Sequence, residues 1–587
     1  MTRVRRRAGH SALLTLCALG AVLEATAATR GRVIDLNGQG LPGAMVTLTR
    51  SPQAQGPTAL TVFTDEHGSF ALPSAAPVGT LSVRLLGYRQ VASGSPVATA
   101  ADVTLLMRPE ANQAGTAPAS AYLRGARDAD REVLVDTCVG CHQLPAPEVR
   151  DYAKLLDDTP QTQTPAAREQ SWEAVVQQMN YISAREFGRA GGPPGRESVY
   201  SGGEPGPTAK LLAGALRGPL QEVRGYKYGA PLLVNSRTVI REYEVPEPNA
   251  IREAVTLDDP RTLYAADVSS NRIFRIDTVS GAVRTLTIPG SDLLGPHTLV
   301  RGADGLWITA FFPGHVARLD PKSETFKLWS LAPARGHPVG IHDLSFDANH
   351  DLTTDRQGRV WFSDIGNNSV GYLDPHTGAS GSYPIPPVPG RTGGEQVYGL
   401  SMSPDRMHVW YCQVGIGSFG SFNTESLKFE TQVSLPSPTS GPRRMSMSDD
   451  GVLYLALYGA GQLAAYDTRA LKMIGIYDLP DRASAPYSTT WDPQRKVVWI
   501  TTSNADVIYR FDPKTRSIGV LPLPRERAFL RSVNVDRKTG ALVTSYANIV
   551  EHVRGPRMAL VIDLGDMPAA PTGTASRATP NLAGASR

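Results

Sequence analysis

Hydrophobic and polar positions between residues 238 and 566 repeat with a long period. Each unit has an aromatic or apolar anchor in a short alternating run. An apolar residue followed by Asp or Asn stands twelve positions after each of the first six anchors. The seven anchors are Tyr264, Trp307, Trp361, Trp410, Tyr454, Trp499 and Val543. A fixed distance within each unit, with spacings of 43 to 54 residues between anchors, predicts a β-propeller of seven four-stranded blades.

The two ends of the repeat region complement each other. The seventh unit ends at Ile562-Asp563, after which the chain becomes rich in Pro, Ala and Thr. Residues 239–245, ahead of the first unit, alternate as a strand does. We expect this segment to supply the outer strand of the seventh blade, which closes the ring and removes an exposed edge. We expect the tail, 567–587, to be disordered.

Residues 28–108 consist of short alternating runs separated by turn residues, which predicts a small β-sandwich. The segment contains Gly31-Arg32-Val33, Leu41-Pro42-Gly43-Ala44, Gly68-Ser69-Phe70 and Gly87-Tyr88. This pattern resembles the carboxypeptidase regulatory-like family over nearly the whole segment. The resemblance implies a seven-stranded, transthyretin-like sandwich without catalysis, which we interpret as a spacer or adhesion module.

The most specific chemical signal is Cys138-Val139-Gly140-Cys141-His142. In covalent haem attachment the Cys138 and Cys141 thiols add to the two vinyl groups of the porphyrin, and His142 ligates the iron. A redox disulfide and half of a zinc site are the alternatives. Zinc needs two further ligands, and no other Cys or His occurs between His142 and His297. The motif therefore predicts haem c in a small helical domain at 121–218.

The distal iron ligand is predicted by exclusion. Met179 is the only methionine in 121–218, and His142 is the only histidine there. Met179 follows Trp172 and Val176 at helical spacing, so a place in the helical core is one alternative, and a five-coordinate haem is another. The arrangement resembles small cytochrome c domains attached to periplasmic enzymes. We expect Met179 to complete the iron coordination.

Composition and the N-terminus indicate the class of protein and its compartment. The 56 glycines and 46 prolines among 587 residues favour a mainly β fold rich in loops. Arginines before an apolar run at 12–23, with Ala25-Thr26-Ala27 behind it, predict a signal peptide over 1–27 and no transmembrane segment. With haem c, this indicates a bacterial periplasmic or secreted protein. A net charge of +4 gives no sign of a nucleic-acid partner, and we expect Cys412 to be a buried thiol.

The repeat units read Asp-Gly-Leu-Trp-Ile-Thr-Ala at 304–310 and Gly-Arg-Val-Trp-Phe-Ser-Asp at 358–364. This pattern resembles the streptogramin (virginiamycin B) lyase family of seven-bladed propellers over the whole repeat region. The resemblance implies non-hydrolytic opening of a lactone ester by proton abstraction, with a magnesium ion and with His and Tyr where inner strands begin. His297, His342 and Tyr398 match these types as catalytic residues. Asp364 stands where the family has Glu, as the metal ligand, and Gly340 departs from an expected acidic partner of the histidine.

Polar residues occupy equivalent positions of the units, and in a propeller these positions face one mouth of the central channel. The starts of the inner strands hold His297, His342, Tyr398, Arg444, Tyr487 and Arg531, and the second turns hold Asp267, His315, Asp364 and Asn367. A mouth that is simply polar and hydrated is the alternative.

Three functions follow from these residues. In the first, the protein transfers electrons through haem, and the mouth binds a small-molecule substrate or a periplasmic redox protein. The histidines would then exchange protons with the substrate and Tyr398 would orient it. The second is a propeller lyase with an accessory haem, and the third is a non-catalytic binding scaffold. The haem motif favours electron transfer, because haem needs dedicated export and attachment.

Overall fold

The computed structural model describes residues 29–73, 78–91, 95–97, 102–188, 204–218, 220, 222–290, 292–312, 314–331, 340–391, 396–548 and 555–565. The predicted signal peptide, 1–27, and the predicted disordered tail, 567–587, lie outside these residues. The described part of the chain is mainly β, as predicted, with one helical segment between an N-terminal β domain and a ring of four-stranded sheets. No helix in the described ranges has the length and apolar character needed to cross a membrane.

The N-terminal β domain packs two sheets over one apolar core. Its strands are β1 (Arg30–Ile34), β2 (Met45–Arg50), β3 (Ala59–Phe63), β4 (Ser69–Ala71), β5 (Gly79–Arg84), β6 (Tyr88–Gln90), β7 (Ser95–Val97) and β8 (Asp102–Pro109). One sheet has the order β4-β1-β8-β6, and the other contains β3-β2-β5-β7. Val33, Leu48 and Leu81 are among the residues buried between them. The described residues thus form eight strands, one more than the family resemblance implies.

Four α-helices follow: α1 (Asp128–Cys138), α2 (Pro147–Asp158), α3 (Pro165–Gly188) and α4 (Pro205–Ala215). Asp128 and Asp130 lie in the first turn of α1, where carboxylates interact favourably with the helix dipole. Helices α3 and α4 pack along each other, and Trp172 is buried in the apolar core of the segment. We name Cys138–His142 the attachment motif, and it begins at the last residue of α1.

Seven blades of four antiparallel strands form the ring in the described chain; six of them are separate sheets, and the seventh is part of a larger sheet. Blade one is β10 (Ile251–Thr256), β11 (Thr262–Asp267), β12 (Arg272–Asp277) and β13 (Val283–Thr287). Blade two is β14 (Pro296–Gly302), β15 (Gly305–Ala310), β16 (His315–Asp320) and β17 (Thr325–Ser330). Blade three is β18 (Ile341–Leu344), β19 (Val360–Asp364), β20 (Ser369–Leu373) and β21 (Ser380–Pro384). Blade four is β22 (Val397–Met402), β23 (His408–Gln413), β24 (Ser418–Asn423) and β25 (Lys428–Ser434).

Blade five is β26 (Pro442–Met447), β27 (Val452–Leu457), β28 (Gln462–Asp467) and β29 (Lys472–Asp478). Blade six is β30 (Pro486–Asp492), β31 (Val497–Thr502), β32 (Val507–Asp512) and β33 (Ser517–Pro522). Blade seven is β34 (Leu530–Val535), β35 (Leu542–Tyr546), β36 (Met558–Asp563) and β9 (Val239–Glu244), which precedes blade one in the chain. The innermost strand of each blade contacts that of the next, and β34 contacts β10, so the ring is closed.

The fixed distance of twelve residues has a local cause. Each anchor lies in the second strand of its blade, and the Asp or Asn ends the third strand. That carboxylate accepts hydrogen bonds from the backbone two and three residues later, as Asp277 does from Val279 and Ser280. Such a side chain stabilises a tight turn to the outer strand. The hairpin is therefore rigid, whereas the connections between blades vary in length.

Strand β9 closes the ring as predicted. It pairs with β36 in antiparallel register from Val239–Asp563 to Glu244–Met558. Its other edge pairs with β3 of the N-terminal domain, where Val239 faces Val62 and Glu242 faces Ala59. Blade seven and half of the sandwich therefore form one eight-stranded sheet, an arrangement that the sequence pattern did not predict.

The helical segment sits on blades five to seven. Asn504, between β31 and β32, accepts from the Leu144 backbone N–H at 2.8 Å and donates to its carbonyl at 3.0 Å. Gln143 donates to Asp506 at 2.8 Å. A Cβ at Gly459 would lie only 3.0 Å from the Asp136 Cβ, so α1 approaches blade five over a glycine. These contacts carry the attachment motif to one mouth of the channel.

Candidate functional site

Seven side chains form a ring at this mouth, one from each innermost strand. Each of these strands has a register shift between its first and fourth residues, which takes its second residue out of the regular ladder. The second residues, which we name the mouth ring, are Arg252, His297, His342, Tyr398, Arg443, Tyr487 and Arg531. All seven are buried.

Five of the six residues predicted for the starts of the inner strands belong to the mouth ring. Arg444 was predicted one position too far along β26, because Arg443 occupies the equivalent position. Arg252 was missed. It lies twelve residues before the anchor Tyr264, the same distance that separates Tyr487 from its own anchor, so this offset would have found it.

Tyr398 and Tyr487 are linked through their hydroxyl groups by a short hydrogen bond. Tyr487 Oη also accepts from Arg531 Nη1 at 2.8 Å and from Arg252 Nη2 at 3.1 Å. Because these two donors occupy both lone pairs of the oxygen, its own proton must point to Tyr398. The guanidinium of Arg443 lies 3.9 Å from the ring centroid of Tyr458, which stands beside the two tyrosines.

His297 and His342 are adjacent, with ring centroids 4.5 Å apart, and the His342 ring lies 3.6 Å from that of Tyr398. Thr298 Oγ1 donates to the His342 carbonyl at 2.7 Å, so the 3.1 Å contact with His297 Nδ1 must be donated by the imidazole. His297 therefore presents an unprotonated Nε2. Burial and the neighbouring arginines hold the pKa of both histidines well below its ordinary value, which keeps both rings neutral.

A second layer of charge lies beneath the ring. Arg444 forms an ion pair with Glu253, donates to Thr298 Oγ1 at 2.5 Å, and lies 3.7 Å from Asp343. Burial raises the pKa of Asp343 to about 7 against the opposing effect of Arg444. These residues line a cavity of about 30 Å³ in the channel.

The attachment motif docks on the mouth ring through its backbone. The carbonyl of Val139 accepts from Tyr458 Oη at 2.7 Å, and that of Gly140 accepts from Arg531 Nη2 at 2.5 Å. Both acceptors are the residues between the two cysteines, so the segment covers the mouth.

The donor set of the motif fits covalent haem. Cys138, Cys141 and His142 are each partly exposed. His142 Nδ1 donates to the Gln143 carbonyl at 2.7 Å, which leaves Nε2 for iron, and burial lowers the pKa of His142 and favours the neutral form that binds metal. Packed surroundings and Asp136 raise the pKa of the Cys138 thiol to about 12. Redox Cys-X-X-Cys sites instead have a thiol of lowered pKa, so this observation speaks against that alternative.

Met179 lies on α3, three residues beyond the buried Val176, and 39% of its surface is exposed. Trp172, one helical turn before Val176, is buried. Met179 is therefore not part of the packed core, and its ligation of iron stays a prediction.

The predicted second-turn residues have structural partners. Asp364 accepts from Asn367 Nδ2 at 2.7 Å and from the Gly340 N–H at 3.1 Å, and burial raises its pKa to about 6. Asp267 accepts from the Ala250 N–H and from two serines in the same way. His315 contacts Ser330 on the outer strand of blade two. Among the residues the structure describes, no group of three or more His, Cys, Asp and Glu side chains could hold a metal, so magnesium at Asp364 stays a prediction.

Cys412 is a buried thiol in β23, as predicted, and donates to the Arg443 carbonyl at 2.7 Å. Burial raises the pKa of this thiol to about 12, so it stays protonated. It contributes packing beneath the mouth ring rather than a reactive group.

Comparisons with known proteins agree with two of the predicted resemblances. Residues 233–464 match the Virginiamycin B lyase family, and residues 28–108 match the carboxypeptidase regulatory-like domain. No curated protein sequence matches the chain significantly.

Solved structures similar to this chain include a streptogramin B lyase, at 17% identity over 56% of this chain and 98% of that one, with a TM-score of 0.45. They also include a selenomethionine-substituted virginiamycin B lyase from Staphylococcus aureus, at 17% identity over 56% and 99% of the two chains, with a TM-score of 0.45. The WD40 repeats of RRP9 match at 11% identity over 57% and 98%, with a TM-score of 0.43. The chain thus combines a carboxypeptidase regulatory-like domain with a propeller similar to the virginiamycin B lyase family.

Proposed function

We propose that this protein is a periplasmic or secreted c-type haem protein that transfers electrons, as an oxidoreductase or as the partner of another redox protein. The observation that carries the proposal is the way the attachment motif is held. Tyr458 and Arg531 bind the backbone of Val139 and Gly140, so the segment is held through its main chain, and neither Cys138 nor Cys141 is in a disulfide. His142 Nδ1 donates to a backbone carbonyl, which leaves Nε2 for iron. Haem held there would exchange single electrons.

The size of the channel favours a redox-protein partner over a substrate bound in the mouth. Small-molecule sites usually have volumes of about 300–1,000 Å³. The cavity beneath the mouth ring has about 30 Å³, and His342 is 1% exposed. A substrate that reached His342 would require the attachment motif to leave the mouth. A redox partner needs only access to the haem edge.

A lyase with an accessory haem is the second candidate. It is supported by the match of 233–464 to the lyase family and by the direct contacts of His297, His342 and Tyr398 on neighbouring blades. Against it, Asp364 is engaged in its own turn, and both histidines are buried beneath the attachment motif.

One set of measurements separates the candidates. The protein is expressed in a periplasm with a cytochrome c maturation system, and reduction of ferric haem is followed with small-molecule donors and with reduced redox proteins. Opening of a streptogramin lactone such as quinupristin is assayed in parallel, with and without magnesium.

Haem reduction without lactone opening supports electron transfer. If a small-molecule substrate is used, His342→Ala slows haem reduction without changing the haem spectrum. Magnesium-dependent lactone opening that is lost in His342→Ala, with haem oxidised throughout, supports the lyase. A protein that takes up no haem under these conditions rejects the proposal.

A further inference from the structure

The second layer of the channel contains polar atoms without a hydrogen-bond partner among the described residues, although Arg444 Nε lies 3.7 Å from an Asp343 oxygen. Neither carboxylate oxygen of Asp343 has a well-formed hydrogen bond to a described residue, although the N–H groups of Leu344 and Leu400 interact with it weakly. Both ring nitrogens of His342 likewise have no hydrogen-bond partner in the described ranges. Each of these side chains is 1% exposed. Buried polar groups are nearly always satisfied by protein or by ordered water, so water is expected here.

The cavity in the channel provides the space. Its volume of about 30 Å³ holds about two water molecules. Asp343, His350 and Ser532 line it, and His350 Nε2 and Ser532 Oγ also have no hydrogen-bond partner among the described residues. His350 is partly exposed, whereas Asp343 is not. The cavity therefore extends from the buried carboxylate to a residue that is partly exposed.

Contacts are continuous from this carboxylate to the haem attachment motif. Asp343 lies 3.7 Å from Arg444, which donates to Thr298 Oγ1, and Thr298 contacts His297. The His297 ring lies beside that of His342, and the His342 ring lies against Tyr398. The remaining contacts are those of Tyr398 with Tyr487, of Tyr487 with Arg531 and of Arg531 with the Gly140 carbonyl. A change of charge at haem and a change of protonation at Asp343 therefore occur at the two ends of one buried polar array.

We propose that Asp343, reached by water in this cavity, takes up a proton when haem is reduced, so that electron transfer by this protein is coupled to proton uptake. The inference rests on the proposed electron-transfer function. One electron from an external donor converts ferric to ferrous iron, which removes one positive charge. One proton from solvent adds to the Asp343 carboxylate, and no other bond forms or breaks.

The groups that face Asp343 single it out as the acceptor. Arg444 and Glu253 form an ion pair with each other. Burial keeps His342, His297 and His350 neutral by lowering their pKa, to about 3 for His350, and keeps Cys412 protonated by raising its pKa to about 12. The mouth-ring arginines carry a constant charge. Asp343 is left as the facing group whose pKa, about 7, lies near neutral pH.

The test is the midpoint potential of the haem-loaded protein measured from about pH 5.5 to 9. Loss of a positive charge raises the pKa of a nearby carboxyl, so the reduced protein binds protons more tightly. In the wild type we expect the potential to fall as the pH rises through about 7. In Asp343→Asn we expect this fall to be smaller, with the remaining pH dependence coming from Asp136 and Asp364, whose pKa burial raises to about 7 and about 6. Asp478→Asn, the same change on the outer strand of blade five, is the matched control and should behave as the wild type.

Infrared difference spectra between the reduced and oxidised protein give a second readout. The wild type and Asp478→Asn should show a protonated carboxyl band of the same size on reduction, and the band should be weaker in Asp343→Asn. The variant keeps the shape of the side chain, and Arg444 retains Glu253 and Thr298 as partners, so we expect the fold to persist.

The two proposals fail in different ways. A wild-type protein that binds haem but shows a potential independent of pH, with no carboxyl band, overturns the proton coupling and leaves electron transfer intact. A slope and a band that are as large in Asp343→Asn as in the wild type overturn the assignment to this residue. Absence of haem in the wild type rejects the proposed function itself.

Discussion

Arg531, in the innermost strand of blade seven, donates a hydrogen bond of 2.5 Å to the carbonyl of Gly140, which lies 391 residues earlier in the chain. The same guanidinium donates to Tyr487 in the mouth ring. One buried side chain therefore joins the Cys138–His142 segment to the propeller channel. Variants of the motif, of Arg531 and of the neighbouring residues test these contacts.

Haem attachment is tested by replacing both thiols. The wild type should be red, and its haem should survive denaturing electrophoresis because thioether bonds are covalent. The double variant Cys138→Ala, Cys141→Ala should lose the haem signal, whereas Cys412→Ala, which changes the buried thiol of β23, should keep it. A colourless wild-type protein contradicts the interpretation of the motif.

Replacement of Arg531 by Ala should weaken the contact between the attachment motif and the propeller. It removes the Arg531 donor from the Gly140 carbonyl and one of the two arginine donors from Tyr487, and a buried polar group without a partner costs about 1–3 kcal/mol. We expect the free energy of unfolding, measured by denaturant titration, to fall by about that amount. The exposed Arg469→Ala should have little effect. Equal stability of the two variants would show that the hydrogen bonds of Arg531 contribute nothing to the free energy of unfolding.

Met179→Ala distinguishes an iron ligand from a surface residue. If the thioether ligates iron, the weak near-infrared band of ferric haem disappears, the reduction potential falls and external ligands bind. Because Met179 is 39% exposed, we expect the free energy of unfolding to change little through loss of packing. Val176→Ala, at a buried position of α3, should instead lower stability and keep the band. An unchanged spectrum in Met179→Ala leaves iron to another ligand.

His342 makes the stability of the protein depend on pH. Its pKa in the folded protein lies far below the unfolded value of about 6.5, so at pH 5 the unfolded chain binds a proton that the folded chain does not. Stability must fall as the pH falls below about 6.5, by up to about 2 kcal/mol from this residue at pH 5. His342→Gln should remove that contribution, and the exposed His376→Gln should not. Unfolding titrations at about pH 5 and 7.5 measure the difference.

The blades were predictable because their signal is local. The distance from Trp361 to Asp374, for example, is set by one hairpin and a turn that the aspartate itself stabilises. The closing strand was predictable for a related reason, since 239–245 alternates and blade seven lacks a strand. The one-residue error at Arg444 arose because the register shift in β26 cannot be read from composition.

The docking of the attachment motif could not be predicted. It depends on pairs such as Tyr458 with Val139, separated by 319 residues, in which one partner is a backbone carbonyl without sequence identity. The small residues of 111–120 are typical of a flexible linker, yet Gln113 accepts from the Tyr226 N–H at 2.6 Å and donates to the Tyr226 carbonyl. Small residues there allow close packing of the backbone as well as backbone flexibility.

The pairing of β3 with β9 has a mechanical consequence. A pulling force applied to the N-terminal domain reaches the propeller across a ladder of backbone hydrogen bonds between two long strands and then passes to β36. Because they share one sheet, the N-terminal domain and blade seven form one stiff unit. Anchoring the N-terminal domain therefore also fixes the direction in which the channel points.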